Sequence, residues 1–223
     1  ILMNVEGRTW PLPPVENRTF EDRWILSRLQ RTADSVRAAM AEFRLNDVAT
    51  GIAHFFRDDF CDWYIEFTKQ RLYGEDESAK AAARGVLLHV LEASLRLMHP
   101  VMPFITEEIR QRLPGVEGSI MDTRYPESDI SLIDDEAEGR MGTIQAIVSG
   151  VRNVRAEMHI PPEKAVEAVI HAASPETADL VESMRANIIS QARLESLTAG
   201  VDAVRPPLSA SVTDSLIRSS VFF

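Results

Sequence analysis

The stretch from residue 45 to residue 72 constrains the fold more than any other part of the sequence. Its apolar side chains recur three or four residues apart, the period at which side chains share one face of an α-helix. They are Val48, Ile52, Phe55, Phe56, Phe60, Trp63, Tyr64 and Phe67. Asn46 stands where an N-cap accepts hydrogen bonds from the first free backbone amides. The spacing therefore predicts one helix of about 26 residues and about 39 Å, at 1.5 Å per residue, against which other helices pack.

Helices are also predicted on both sides of this stretch. The first runs from about Phe20 to Phe43, with Thr19 as its N-cap. Its apolar seam consists of Leu26, Leu29, Ala33, Val36, Met40 and Phe43. Three more are predicted over residues 78–99, 103–113 and 134–158, each followed by a proline that ends the helical pattern. The fold class predicted for this part is mainly α, a helical bundle.

The periodicity changes after the fifth helix. AVEAVIHA alternates as a strand does, Ser174-Pro175 begins a helix of about 16 residues, and RLESLTA is a second strand. Two further strands are predicted around Thr213-Asp214, which completes a small β-α-β-β unit of α+β type. The predicted domains are a linker over residues 1–19, the helical bundle over 20–160 and the α+β unit over 161–223.

Composition places the chain among ordinary globular proteins. It has 223 residues, 45% of them hydrophobic, and one cysteine, Cys61. A single cysteine forms no internal disulfide, so we expect a reducing, cytoplasmic location. No apolar run approaches the roughly 18 residues that a membrane span needs, so we expect no membrane partner. The chain begins with ILMNVEG and ends with the apolar SLIRSSVFF. We therefore expect it to be a piece of a longer protein.

Charge is distributed unevenly along the chain. The net charge is −10, which argues against a protein that coats DNA or RNA by charge alone. Residues 18–44 nevertheless carry six arginines against four acidic residues. Arg23, Arg37 and Arg44 lie 14 and 7 residues apart and line up beside the apolar seam of the first helix. Two interpretations stay open: a solvated flank with apolar arginine stems, and a ridge that faces phosphates.

The sequence contains no recognisable catalytic or metal-binding pattern. His54 and Asp58 share one helical face, but no HExxH pattern and no second histidine or cysteine cluster completes a metal shell. There is also no phosphate-binding glycine loop of either common type. We therefore predict no catalytic residue, no metal and no bound cofactor in this chain.

Five blocks of sequence carry a resemblance to a known family. They are DRWILSRL (22–29), FCDWYIE (60–66), HPVMPFITEEIRQRL (99–113), GSIM (118–121) and VRNVRAEMHIPPEK (151–164). In this order and at this spacing they resemble the C-terminal half of bacterial valyl-tRNA synthetases. The chain departs from the family's pattern at Val101, where an aromatic residue is common, and at Arg110 and Tyr125, where tryptophan is common.

The resemblance implies a helical anticodon-binding domain of a class I synthetase, whose parent enzyme joins valine to tRNA(Val) with ATP. The signature sequences of the catalytic domain are not in this chain, so the piece itself is expected to be non-catalytic. Its expected partners are tRNA(Val) and the catalytic domain of the same polypeptide, and the α+β unit is expected to lead to a C-terminal arm. An anticodon loop offers unstacked bases and phosphates to rigid helices.

The predicted RNA-binding residues are cations on three helices. They are Arg23, Arg37 and Arg44 on the first helix, Lys69 and Arg71 at the end of the central helix, and Arg152 and Arg155 on the fifth. The last two are predicted to contact either the RNA or the catalytic domain. Two alternatives stay open: the same domain of an isoleucyl- or leucyl-tRNA synthetase, and a helical protein-interaction module that does not bind RNA.

Overall fold

The structure is a computed structural model, and it describes residues 1, 5, 7–161, 163–204 and 206, and the backbone of 211–214 and 219–222. Contacts within the chain divide it into two units, Ile1–Glu138 (unit 1) and Gly139–Phe223 (unit 2). The three domains predicted from the sequence are a different division, and their boundaries stay a prediction. The predicted fold class, a helical bundle with a small α+β part, is confirmed.

Helices make up most of the first 157 residues, close to the predicted positions. They are α1 (Phe20–Ala41), α2 (Leu45–His54), a π-helix (Phe55–Ile65), α3 (Glu66–Leu72), α4 (Glu77–Met98), α5 (Pro103–Arg110) and α6 (Asp135–Glu157). Thr19 caps α1 as predicted, because its side chain accepts from the Asp22 amide while the Asp22 carboxylate accepts from the Thr19 amide at 3.1 Å. This reciprocal pair fixes the start of α1.

The turn from α1 to α2 corrects two predictions. α1 ends at Ala41 and Phe43 has a φ of 57°, so Phe43 leaves the apolar seam and its side chain is exposed. Asn46 is not the N-cap, since α2 begins at Leu45 and Arg44 takes the cap position without a side-chain cap. The apolar spacing continues to Phe43, but the left-handed backbone of that residue ends the helix and reverses the chain.

The predicted central helix is continuous, but its middle is a π-helix. Side chains five residues apart are buried there: Phe55 with Phe60, and Asp59 with Tyr64. A turn with i→i+5 hydrogen bonds brings such pairs onto one face, which a 3.6-residue turn does not. The aromatic rings of Phe56, Phe60 and Tyr64 follow one another at 5.7 and 6.1 Å between centroids. The prediction of a regular α-helix over this segment was therefore wrong in pitch.

Residues that precede α1 pack across α4. A Cβ atom at Gly85 would lie 2.2 Å from the carbonyl oxygen of Pro11, so only glycine permits this close approach. The guanidinium of Arg84 lies 4.8 Å from the centre of the Trp10 ring, a cation–π contact. The segment predicted as a linker thus contributes contacts to unit 1.

Unit 2 contains a four-stranded sheet with the order β2-β1-β4-β3. Its elements are β1 (Val166–His171), α7 (Pro175–Ser183), α8 (Arg185–Ala192), β2 (Leu194–Gly200), β3 (Ser211–Asp214) and β4 (Ser219–Phe222). β1 is parallel to β2 and antiparallel to β4. The predicted 16-residue helix is two helices that meet at Met184, and Thr213 and Asp214, which were predicted to separate two strands, lie within β3.

The described residues contain neither a membrane-spanning helix nor a metal-binding cluster. Within them, no helix is both long and apolar enough to cross a membrane. Over the same part of the chain, no group of three or more His, Cys, Asp and Glu side chains is placed to hold a metal ion.

Candidate nucleic-acid interface

The predicted row on α1 contacts the connection between α5 and α6. Arg23 donates to the Asp134 carboxylate at 2.9 Å. The side-chain oxygen of the buried Gln30, in the same row, accepts from the Asp129 amide at 2.9 Å. These contacts hold the connection along α1, so the cation of Arg23 is engaged within the chain.

Arg37 continues the row with weaker contacts to the same connection. Its guanidinium lies 3.5 Å from the carbonyl oxygen of Pro126 and 3.8 Å from the Glu127 carboxylate, and its side chain is half-exposed. Arg37 therefore keeps more freedom than Arg23 to contact a ligand. The RNA-binding role of the row stays a prediction.

Arg44 is not part of the row, because α1 ends before it. It pairs with the carboxylates of Glu42 and Asp47, and 47% of its side chain is exposed. Phe43 beside it is 87% exposed and Leu45 is exposed as well. We call Phe43, Arg44 and Leu45 the α1–α2 corner. It presents an aromatic face and a cation side by side.

A groove lined by polar and charged side chains lies between α1 and α2. The cavity has a volume of about 280 Å³ and is lined by Arg28, Arg31, Thr32, Ser35, Val36, Gly51, His54 and Phe55. Its arginines meet carboxylates: Arg28 lies 2.9 Å from Asp59, and Arg31 lies 2.7 Å from Glu138. Burial raises the pKa of Asp59, while the Arg28 charge opposes that rise. The positive charge of the groove is therefore largely compensated.

Arg71 reaches into the core of unit 1, where Asp22 is fully buried, and 17% of its own side chain stays exposed. Its two terminal nitrogens donate to the two Asp22 oxygens at 2.7 and 2.6 Å, and the Tyr64 hydroxyl donates to the same carboxylate at 2.5 Å. Burial, together with the Asp22 charge, raises the pKa of Tyr64 well above its ordinary value. This network joins the end of α3 to the start of α1.

Lys69, by contrast, is half-exposed and pairs with Glu66 at 2.5 Å.

The structure does not bring Arg44 and Arg71 together. Arg71 contacts Asp22 in the first turn of α1, whereas Arg44 follows the last turn of the same helix. A helix of 22 residues is about 33 Å long at 1.5 Å per residue. Arg44 and Arg71 therefore cannot both contact the same short stretch of an RNA loop.

Arg152 and Arg155 lie close together in unit 2. Arg152 donates to the backbone and side-chain oxygens of Gln191, the latter at 2.5 Å. Arg155 is only 7% exposed and donates to three carbonyls, those of Arg193 (3.2 Å), Pro161 (3.1 Å) and Lys164 (2.7 Å). A cavity of about 460 Å³ beside them is lined by Arg152, Arg155, Ala156, Ile160, Gln191, Ala192 and Arg193.

Sequence reasoning missed Phe43 at the corner, Arg28 and Arg31 in the groove, and Arg193 in the unit 2 cavity. Arg28, Arg31 and Ser35 are three and four residues apart, a spacing that marks a second polar face of α1. No local pattern identifies Arg193, which reaches the cavity through the fold of unit 2. Exposed aromatic rings stack on unpaired bases and arginines contact phosphates, so the α1–α2 corner has the side chains that a single-stranded loop requires.

Comparison with known proteins shows similarity to tRNA ligases, both by family model and by individual relatives. The family model described as the anticodon-binding domain of tRNA ligase matches residues 22–170. The valine–tRNA ligase of Fusobacterium nucleatum is 39% identical over 94% of this chain and 24% of its own length. Those of Bacillus subtilis (37%, 95% of this chain) and Thermotoga maritima (45%, 76% of this chain) are similar. The chain spans about a quarter of the length of these curated relatives or less.

Proposed function

Because this chain belongs to the family of anticodon-binding domains of tRNA ligases, we propose that it binds the anticodon stem-loop of tRNA(Val) as part of a valine–tRNA ligase. The observation that carries the proposal is the extent of the family match. Residues 22–170 include all of α1 except its first two residues, the helices from α2 to α6, and all of β1 except its last residue. The named relatives quoted above are valine–tRNA ligases, which favours valine over the isoleucyl and leucyl alternatives.

We place the base contact at the α1–α2 corner. Phe43 is a left-handed residue between the end of α1 and the start of α2, and 87% of it is exposed. Stacking of a loop base on such a ring needs no particular base identity. Arg44 lies next to the ring, and in this proposal an adjacent phosphate replaces Glu42 or Asp47 as its partner.

The half-exposed Arg37 is a further phosphate contact in this proposal. The RNA contact predicted for Lys69, which lies two residues before Arg71 and thus at the other end of α1 from the corner, stays a prediction.

The remaining functions belong to the longer protein. The parent ligase is proposed to use ATP to attach valine to its tRNA, with catalysis in a domain outside this chain. That domain of the same polypeptide is then a partner of this one, along with tRNA(Val). A cytoplasmic location fits the single cysteine and the substrate.

The test is a low-salt titration of the 223-residue chain with two transcripts of tRNA(Val), one with the native anticodon and one with its middle and third bases changed. We expect tighter binding of the native transcript. Equal binding of both would limit the role to backbone contact. Absence of binding at low salt would favour the protein-interaction module.

A point variant locates the contact. Phe43→Ala is expected to weaken binding of the native transcript about tenfold, as the loss of one stacked base does. The matched control is Tyr73→Ala, which removes an aromatic side chain that is 73% exposed beyond the end of α3, far from the corner. Equal losses in the two variants would exclude the corner as the base contact.

A further inference from the structure

The cavity between α6 and the loop before β2 has the composition of an anion site. Three arginines line it, Arg152, Arg155 and Arg193, and its volume is about 460 Å³. Its other lining residues are apolar apart from Gln191. Guanidinium groups bind phosphate oxygens through paired, charge-assisted hydrogen bonds.

Arg155 supplies the electrostatic argument. Its side chain is buried and its guanidinium donates to three backbone carbonyls. Carbonyl dipoles stabilise the cation but are neutral, so its unit charge remains and acts on the adjacent cavity. In a partly buried site that charge is screened less than it is in water, which favours an anion at the cavity surface.

Arg155 also positions the arginine on the other side of the cavity. It donates to the carbonyl of Arg193, a residue with a φ of 55° that ends α8 and begins the turn into β2. Arg152, one helical turn before Arg155, is held by Gln191, two residues before Arg193. The buried cation and the two exposed ones are thus fixed in one frame by α6 and the end of α8.

We infer that this cavity is a phosphate-binding site that holds a backbone phosphate of the tRNA, separate from the α1–α2 corner. The inference rests on the proposed function, because it takes the RNA as the source of the phosphate. Arg152 and Arg193 contact the phosphate oxygens, and Arg155 acts mainly through its charge and its hold on Arg193.

The test compares salt dependence with anticodon preference in the same chain. The double variant Arg152→Gln/Arg193→Gln removes two exposed charges and leaves Arg155 in place. The control is Arg185→Gln, an arginine in the same unit that is paired with Glu182. Binding of native tRNA(Val) is measured between low and moderate salt, and thermal melts establish that each variant is folded.

We expect the double variant to bind about tenfold more weakly at low salt and to lose roughly one from the slope of log affinity against log salt, the value of one phosphate contact. The preference for the native anticodon is expected to persist. Arg152→Lys/Arg193→Lys, which keeps the charges, is expected to restore most of the slope. An unchanged slope in the glutamine variant, or an equal drop in the Arg185→Gln control, would overturn the inference while leaving the anticodon preference to decide the proposed function.

Inorganic pyrophosphate separates the two sources of phosphate. It is expected to compete with tRNA in the wild-type chain more strongly than in the double variant. If the wild-type chain binds pyrophosphate through these arginines but its tRNA binding is the same in the double variant, the site takes a free anion and the assignment to RNA is wrong.

Discussion

Arg23 and Arg71 of unit 1 differ from Arg155 of unit 2 in the oxygens that they contact. In unit 1, Arg23 and Arg71 are bonded to carboxylates, so each positive charge is compensated inside the chain. In unit 2, Arg155 is bonded to carbonyls, which orient the guanidinium without cancelling its charge. A count of arginines in the sequence treats the two alike. The comparison shows that the partner decides whether an arginine serves the fold or remains available to an anionic ligand.

The largest expected effect is that of Arg71→Met. It leaves the fully buried Asp22 carboxylate without its cation, and loss of one partner of a buried pair costs about 3–5 kcal/mol in free energy of unfolding. Urea denaturation measures it. Tyr64→Phe, which removes a single donor to the same carboxylate, is expected to cost about 1–2 kcal/mol. A loss below about 1 kcal/mol for Arg71→Met would show that the pair contributes little to the fold.

Arg155→Met is expected to lower the free energy of unfolding by about 2 kcal/mol, which is less than the effect of Arg71→Met. It leaves carbonyl acceptors without donors, but these are neutral and their desolvation costs less than that of a buried carboxylate. The measurement is again denaturation, with Arg152→Met as the exposed control. If Arg155→Met costs as much as Arg71→Met, the distinction between carbonyl-bonded and carboxylate-bonded arginines does not hold for stability.

Asp59→Asn tests the half-buried pair in the α1–α2 groove through pH. Burial raises the pKa of Asp59 despite Arg28, so the folded chain holds that proton more tightly than the unfolded chain does. The stabilisation from this proton is present at low pH and is lost as the pH rises past the ordinary aspartate value of about 3.9 and through the raised one. We expect the wild type to lose stability relative to Asp59→Asn over that interval, by less than the effect of Arg155→Met. Parallel stability curves would show that Arg28 balances burial, and a gain in the relative stability of the wild type as the pH rises would show that Arg28 outweighs it.

Arg23→Gln is expected to have the smallest effect on stability. Its partner Asp134 is near the surface, and such pairs contribute about 0.5 kcal/mol. The combined alanine variant of Arg23, Arg37 and Arg44 separates the two interpretations of the predicted row. A phosphate ridge predicts a flatter salt dependence of tRNA binding, whereas a solvated flank predicts an unchanged salt dependence.

Sequence periodicity predicted the helices well because burial of one helix face requires apolar residues three or four positions apart. It did not predict the surroundings of a side chain where these depend on a residue distant in sequence or on the backbone conformation. Arg71 looked like an exposed cation near a helix end, yet its partner Asp22 lies 49 residues earlier. Phe43 fitted the apolar seam by spacing, but one left-handed residue placed it on the surface.

The same limit applies to unit 2. Its four strands were predicted and are present, although Thr213 and Asp214, which were predicted to separate the last two, lie within β3. The break between α7 and α8 at Met184 was not predicted, because the sequences of both helices continue one helical pattern. The grouping of Arg152 and Arg155 followed from their spacing on α6, but Arg193 joins them only because α8 ends beside α6.

The π-helix has a further consequence, for insertions and deletions. Each residue of an α-helix turns the chain by about 100°. Removing one residue between Phe55 and Ile65 and restoring the ordinary pitch would rotate α3 and its side chains relative to α2. The angular position of Arg71 opposite Asp22 therefore depends on the number of residues in the segment as much as on their chemistry. A change of length there is not equivalent to a substitution, because it resets the face that every later residue of the helix presents.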